Sequence, residues 1–207
     1  MSENFEQIIS GAVGDIEALV QIPDDYLPGD PVAVVCHPHP LRGGTMTNKV
    51  VHMIARSFVE LGVPVVRFNF RGVGKSSGCY DEGRGESEDL QTVVAWLKQQ
   101  YLDAPLWLAG FSFGAYVAAR THLSVDVSQL LLVAPPVTMY DFSELPELTV
   151  PSLIIQGSED EVIDAQAVSA WVKEKAPDAD YHWMEGAGHF FHGRLVELRM
   201  LIKSGWG

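Results

Sequence analysis

Five consecutive apolar residues, Val32-Ala33-Val34-Val35-Cys36, carry no polar alternation. A strand with one wet face alternates, so an unbroken run of this length belongs to a strand covered on both faces, the usual setting of a parallel sheet flanked by helices. Further strand-like segments recur at residues 63–70, 105–109, 129–134, 152–156 and 180–184. Between them lie helical patterns. One starts near Thr47, with Val50, Met53, Ile54, Phe58 and Leu61 on one stripe and Gly62 as its stop. The next places Leu90, Val93, Val94 and Leu97 behind acidic Glu86, Glu88 and Asp89, which suit a helix N-terminus. Another, capped by Asp164, carries Val168, Trp171 and Val172, and a closing helix is predicted over residues 190–203 with Leu195, Leu198 and Ile202 inward. Residues 5–10 and 15–22 read as an opening hairpin around residues 11–14, with Ile16, Ala18, Val20 and Ile22 on one face. An antiparallel start followed by alternating strands and helices predicts an α/β fold with a mostly parallel, twisted sheet of about seven or eight strands and helices on both faces. A length of 207 residues fits one domain, 1–207.

The strand predicted at residues 105–109 runs into Gly110-Phe111-Ser112-Phe113-Gly114, and a run of small, helix-compatible residues follows. Gly-x-Ser-x-Gly between a strand and a helix is the pattern of a nucleophile elbow, a turn so tight that its flanking positions must be small while the serine is thrust out at the tip. A serine hydroxyl is a weak nucleophile at neutral pH and needs a base, itself oriented by an acid. In open parallel sheets ligand-binding groups follow the carboxyl ends of strands. Of the seven histidines, His52 and His122 fall in predicted helices and His182 inside a predicted strand. His189, on the glycine-rich loop after the last strand, can swing an imidazole over the sheet edge, whereas its neighbour His192 reads as the start of the closing helix. The acid is expected at Asp160, where a three-residue turn after Gln156 returns it over the strand end. Glu159 and Glu161 read as solvated neighbours, and Asp164 as a helix cap. The order Ser112, Asp160, His189 is nucleophile, acid, base, each after its own strand.

These residues support a resemblance. His37-Pro38-His39-Pro40 followed by Gly43-Gly44-Thr45-Met46, then Asn69-Phe70-Arg71-Gly72-Val73-Gly74-Lys75-Ser76, the serine pentapeptide, and Gly186-Ala187-Gly188-His189-Phe190-Phe191 stand in one order across nearly the whole chain. The sequence resembles the α/β-hydrolases, and more closely a compact bacterial group of them without a lid. The resemblance implies hydrolytic chemistry more sharply than it implies a substrate. It also implies an oxyanion hole made of two backbone N–H groups, one from Phe113, the residue after the nucleophile. The second is expected from the loop after residues 32–36. Pro38 and Pro40 cannot donate, which leaves His39 and Leu41; His39 is preferred because His37-Pro38 stands where related hydrolases carry His-Gly before the donor. His37 reads as support for that loop.

In larger relatives a lid enters between the strands here predicted at 129–134 and 152–156. The intervening segment is too short for one, and its Met139, Tyr140 and Phe142, with Phe190, are candidates to wall an acyl pocket, with core packing the alternative for the first three. The expected activity is that of a serine esterase or thioesterase acting on a small-molecule acyl substrate, as a monomer or homodimer, with no cofactor and no metal; the alternatives are a peptidase or dienelactone-type hydrolase, or a non-catalytic ligand-binding protein on the same fold.

A second motif competes. Residues 71–77 end in Gly-Lys-Ser-Ser, but Asn69 occupies the first glycine of a phosphate-binding loop and Gly78 follows where a helix should begin, so nucleotide binding is not expected. Net charge is −13, from 27 acidic and 14 basic residues, without a basic cluster, which disfavours nucleic acid and anionic membranes as partners. Two cysteines, no apolar run of spanning length and an opening segment that is neither basic nor apolar lead to an expected cytoplasmic location.

Overall fold

The computed structural model describes residues 3–206. β1 (Glu3–Gly11) and β2 (Gly14–Ile22) form the opening hairpin around a two-residue turn, and β3 (Val32–Cys36) begins the parallel part. There follow α1 (Lys49–Val59), β4 (Val65–Phe68), α2 (Arg84–Gln100), β5 (Leu106–Phe111) and α3 (Phe113–Thr121). The second half comprises β6 (Gln129–Val133), β7 (Ser152–Gly157), α4 (Ala165–Lys175), β8 (Asp180–Met184) and α5 (Leu195–Trp206). The eight strands make one sheet in the order β1-β2-β4-β3-β5-β6-β7-β8. β2 pairs antiparallel with β1 and with β4; every other pairing is parallel. This is the fold class expected from the sequence.

The unalternated run of β3 explains itself. Val32, Val34 and Cys36 point into a core layer shared with α2, α3 and α4, and Ala33 and Val35 into the layer shared with α1 and α5. The helix ends have local causes. The Asn48 side chain accepts the Val50 N–H at 2.9 Å to start α1, and Asp164 accepts the N–H groups of Gln166 and Ala167 to start α4. Between β6 and β7, residues 134–151 run as turns without a helix, so no lid covers the sheet.

The closing helix departs from expectation. It starts at Leu195, five residues later than the pattern predicts, because Phe191 and Gly193 adopt φ of +51° and +71° and a right-handed helix cannot pass through them. Phe190 and exposed His192 therefore sit in the preceding turns.

The Gly-rich segment after β4 is held by buried charge. Arg71 donates from its backbone N–H and its guanidinium to Asp89 of α2, with contacts of 2.8–3.2 Å. Glu17, buried on β2, accepts from the Asn69 side chain at 2.7 Å and the Lys75 N–H at 2.8 Å. Lys75 Nζ reaches Glu6 and Glu17, and Ser76 Oγ donates to the Asn69 carbonyl. The Lys-Ser pair that would face a phosphate in a nucleotide loop is thus committed to the hairpin. Among the described residues no helix is long and apolar enough to cross a membrane.

Candidate active site

β5 ends at Phe111 and α3 begins at Phe113, so a single residue, Ser112, makes the whole connection. Its backbone sits at φ +54°, ψ −121°, a conformation unfavourable for a side-chain-bearing residue and held by the surrounding packing. The glycines permit it: a Cβ at Gly110 would lie 2.1 Å from the Gly114 carbonyl oxygen, and one at Gly114 would lie 2.4 Å from the Cys36 carbonyl oxygen. The elbow therefore packs backbone on backbone, and Ser112 Oγ stands at the carboxyl edge of the sheet.

His189, on the loop after β8, meets it there. Its Nε2 lies 3.1 Å from Ser112 Oγ, and its Nδ1 lies 2.8 Å from Asp160 Oδ2 on the loop after β7. A carboxylate only accepts, so Nδ1 carries the proton and Nε2 is left bare to accept from the serine hydroxyl. The His189 and Asp160 side chains are 3% and 0% exposed, which keeps water from competing for these bonds.

Four donors surround the Asp160 carboxylate. Oδ1 accepts the N–H groups of Val162 at 2.9 Å and Ile163 at 2.7 Å; Oδ2 accepts from His189 and from Gln156 Nε2 at 3.0 Å. Burial pushes its pKa up, but the bonds from His189 and the two backbone N–H groups outweigh burial and hold it below the ordinary carboxylate range. The acid is ionised at neutral pH and aimed. Glu161 is exposed, as expected of a solvated neighbour, and in addition accepts the His189 N–H at 2.9 Å, which ties the two loops together. Gln156 was also missed; a polar residue ending the otherwise apolar buried run of β7, four positions before the acid, is the signal that marks it.

The loop after β3 is built around His37, which is fully buried. Its Nδ1–H donates to the Pro38 carbonyl at 2.6 Å and its Nε2 accepts the Phe70 N–H at 3.0 Å, so the ring is neutral and clamps the loop to the end of β4. Of the two donors considered for this loop, the Leu41 N–H is spent on His39 Nδ1 at 3.1 Å and its side chain points to solvent. The His39 and Phe113 N–H groups have no acceptor among the described residues.

A cleft of about 370 Å³ opens over Ser112 and His189. His39, Phe113, Met139, Tyr140 and Phe190 line it, joined by Pro38, Arg42, Asn48, Pro136 and Val162 from the connecting segments. Phe142 does not line it. Its ring is 1% exposed and packs between Tyr116 and Trp171 in the core behind the cleft, which corrects the sequence assignment.

An eight-stranded sheet of this order, with a serine on a strand-to-helix elbow facing a histidine and an acid on later loops, defines an α/β-hydrolase architecture. Residues 33–197 match the family model described as an alpha/beta hydrolase domain, and the chain belongs to that family. It is similar to an alpha-beta serine hydrolase homologue from Coxiella burnetii, at 45% identity and a TM-score of 0.94 over 98% of this chain and 97% of that one. A serine hydrolase without lid from Xanthomonas campestris is 42% identical, with a TM-score of 0.93 over 98% and 93% of the two chains. An uncharacterized protein of Rickettsia prowazekii is 38% identical over 86% of this chain and 79% of its own length.

The His37 clamp has a measurable consequence. Burial pushes the His37 pKa down to about 4, against a smaller opposing pull from its bond to the Pro38 carbonyl. A folded-state pKa below the unfolded one means that the unfolded chain binds the extra proton first. Stability from this group is full above pH ~6.5 and is lost as pH falls towards 4, by about 3 kcal/mol in total. Urea midpoints measured across this window should fall more steeply for the wild type than for His37→Gln; equal slopes would refute the clamp.

Proposed function

We propose that this hydrolase cleaves a carboxylic ester or thioester of a small molecule through an acyl-enzyme on Ser112, with His189 as general base and acid and Asp160 as its orienting carboxylate. The observation that carries the reading is the unbroken chain of hydrogen bonds from Ser112 Oγ through His189 to Asp160 Oδ2.

Ser112 Oγ attacks the acyl carbon as its proton passes to His189 Nε2, and the imidazolium so formed is stabilised by ionised Asp160. Negative charge develops on the carbonyl oxygen and is met by the N–H groups of Phe113 and His39, the former at the N-terminus of α3, where the helix dipole adds to it. Collapse expels the alkoxide or thiolate, which takes the proton from His189. Water then repeats the sequence on the acyl-enzyme. Nothing in these steps requires a cofactor.

The cleft suits this chemistry. Pro136, Met139, Tyr140, Val162 and Phe190 form an apolar wall for an acyl group, and the absence of a lid leaves it open, which favours short or exposed acyl chains over long buried ones. The test is a series of p-nitrophenyl esters of rising chain length, run beside matched thioesters, on wild type and Ser112→Ala. The wild type should turn over short chains best and the variant should lose about 10⁴-fold or more in kcat. A folded Ser112→Ala protein of undiminished activity would overturn the reading.

A further inference from the structure

Arg42, exposed on the turn after β3, lines the cleft over Ser112, and among the described residues its side chain has no hydrogen-bond or ion-pair partner. Among the described residues every other arginine is engaged. Arg56, Arg71, Arg84, Arg194 and Arg199 each grip a carboxylate; Arg67 donates to the Met46 carbonyl and to Gln21, and Arg120 to the Tyr116 hydroxyl. Among the described residues Arg42 makes no side-chain hydrogen bond and no ion pair, although the chain has nearly twice as many acidic as basic residues. Its root is fixed: the Arg42 and Gly44 N–H groups both donate to the His39 carbonyl at 3.1 Å, in the 3₁₀ turn Pro40–Arg42. Arg42 therefore belongs to the same short turn as the proposed oxyanion donor. Among the described residues no aspartate or glutamate lines the cleft, and the carboxylate of Asp160 is saturated by its own four donors.

We infer that Arg42 is a specificity residue, and that the substrate is an ester or thioester bearing an anionic group, a carboxylate or phosphate, near the scissile bond. The inference rests on the hydrolase reading above. A net charge of −13 repels anions from the molecule as a whole, so an anionic substrate needs a local cation in the cleft, and the cleft holds one. The planar fork of arginine matches the paired oxygens of either anion. The apolar lining of the cleft takes the uncharged part of the molecule.

Paired substrates with and without an anionic group test this. Monophenyl adipate against phenyl hexanoate places the carboxylate on the acyl side. Para-acetoxybenzoate against its methyl ester places it on the leaving group, and para-acetoxyphenyl phosphate against phenyl acetate substitutes phosphate. The wild type should have the higher kcat/KM on the anionic member of at least one pair, with the advantage shrinking as salt rises. In Arg42→Gln the anionic-to-neutral ratio should fall about tenfold, mainly through KM, and Arg42→Lys should recover part of it. A wild type that favours the neutral member of every pair, or a ratio untouched by Arg42→Gln, would overturn the assignment while leaving the esterase reading intact. If no ester is hydrolysed, that reading falls by itself. Arg42 is then judged on Ser112 labelling by a carboxylated and a neutral fluorophosphonate, and equal rates in wild type and Arg42→Gln overturn it.

Discussion

Asp160→Asn is expected to lower kcat on every ester substrate by about 10⁴-fold. The reason lies in the donors around the carboxylate. With Asn Nδ2 facing His189, the amide donates to Nδ1 and moves the imidazole proton to Nε2, where it can no longer accept from Ser112. Flipping the amide does not help, because the other side holds the Val162 and Ile163 N–H groups and Nδ2 then meets two donors. In the first orientation Nδ2 also meets Gln156 Nε2. Either way a buried donor is left without an acceptor, so the variant should also lose about 1–3 kcal/mol of stability. Kinetics and urea unfolding on the same preparation check both parts. Glu159→Gln, by contrast, should leave kcat close to wild type. Loss of activity in Glu159→Gln with Asp160→Asn unimpaired would move the acid to the wrong side of this loop.

The second large effect is on folding. Asp89 is 1% exposed and its carboxylate is met by the backbone N–H and the guanidinium of Arg71. Arg71→Met leaves that carboxylate buried with the backbone bond alone, and the expected loss is about 3–5 kcal/mol in urea or thermal unfolding. The double variant Arg71→Met, Asp89→Leu should regain much of this, because it removes the stranded charge instead of exposing it. A single variant that unfolds at the wild-type midpoint would mean that the ion pair does not hold residues 71–83 against α2.

The contrast between what the sequence foretold and what needed the structure follows from range. Unalternated runs such as β3 report burial on both faces, and burial is set by the whole sheet, so the architecture was legible. Ser112, Asp160 and His189 were legible because each lies directly beyond a strand, where the topology of a parallel sheet brings chain-distant residues to one edge. Tyr140 and Phe142 were not separable. They stand two positions apart in a turn without helical or strand periodicity, and one faces the cleft while the other fills the core. The late start of α5 was hidden because Phe191 takes a left-handed conformation that nothing in its side chain announces. Arg42 and Asn48 line the cleft through the local folding of residues 37–48, with no pattern along the chain.

The central claim is that Ser112 is an activated nucleophile. Incubation of the folded protein with a fluorophosphonate, followed by digestion and mass spectrometry, tests it most directly. One adduct is expected, on the peptide carrying Ser112, absent in Ser112→Ala and formed far more slowly in His189→Ala. A folded wild-type protein without that adduct, or one labelled at another residue, would contradict it.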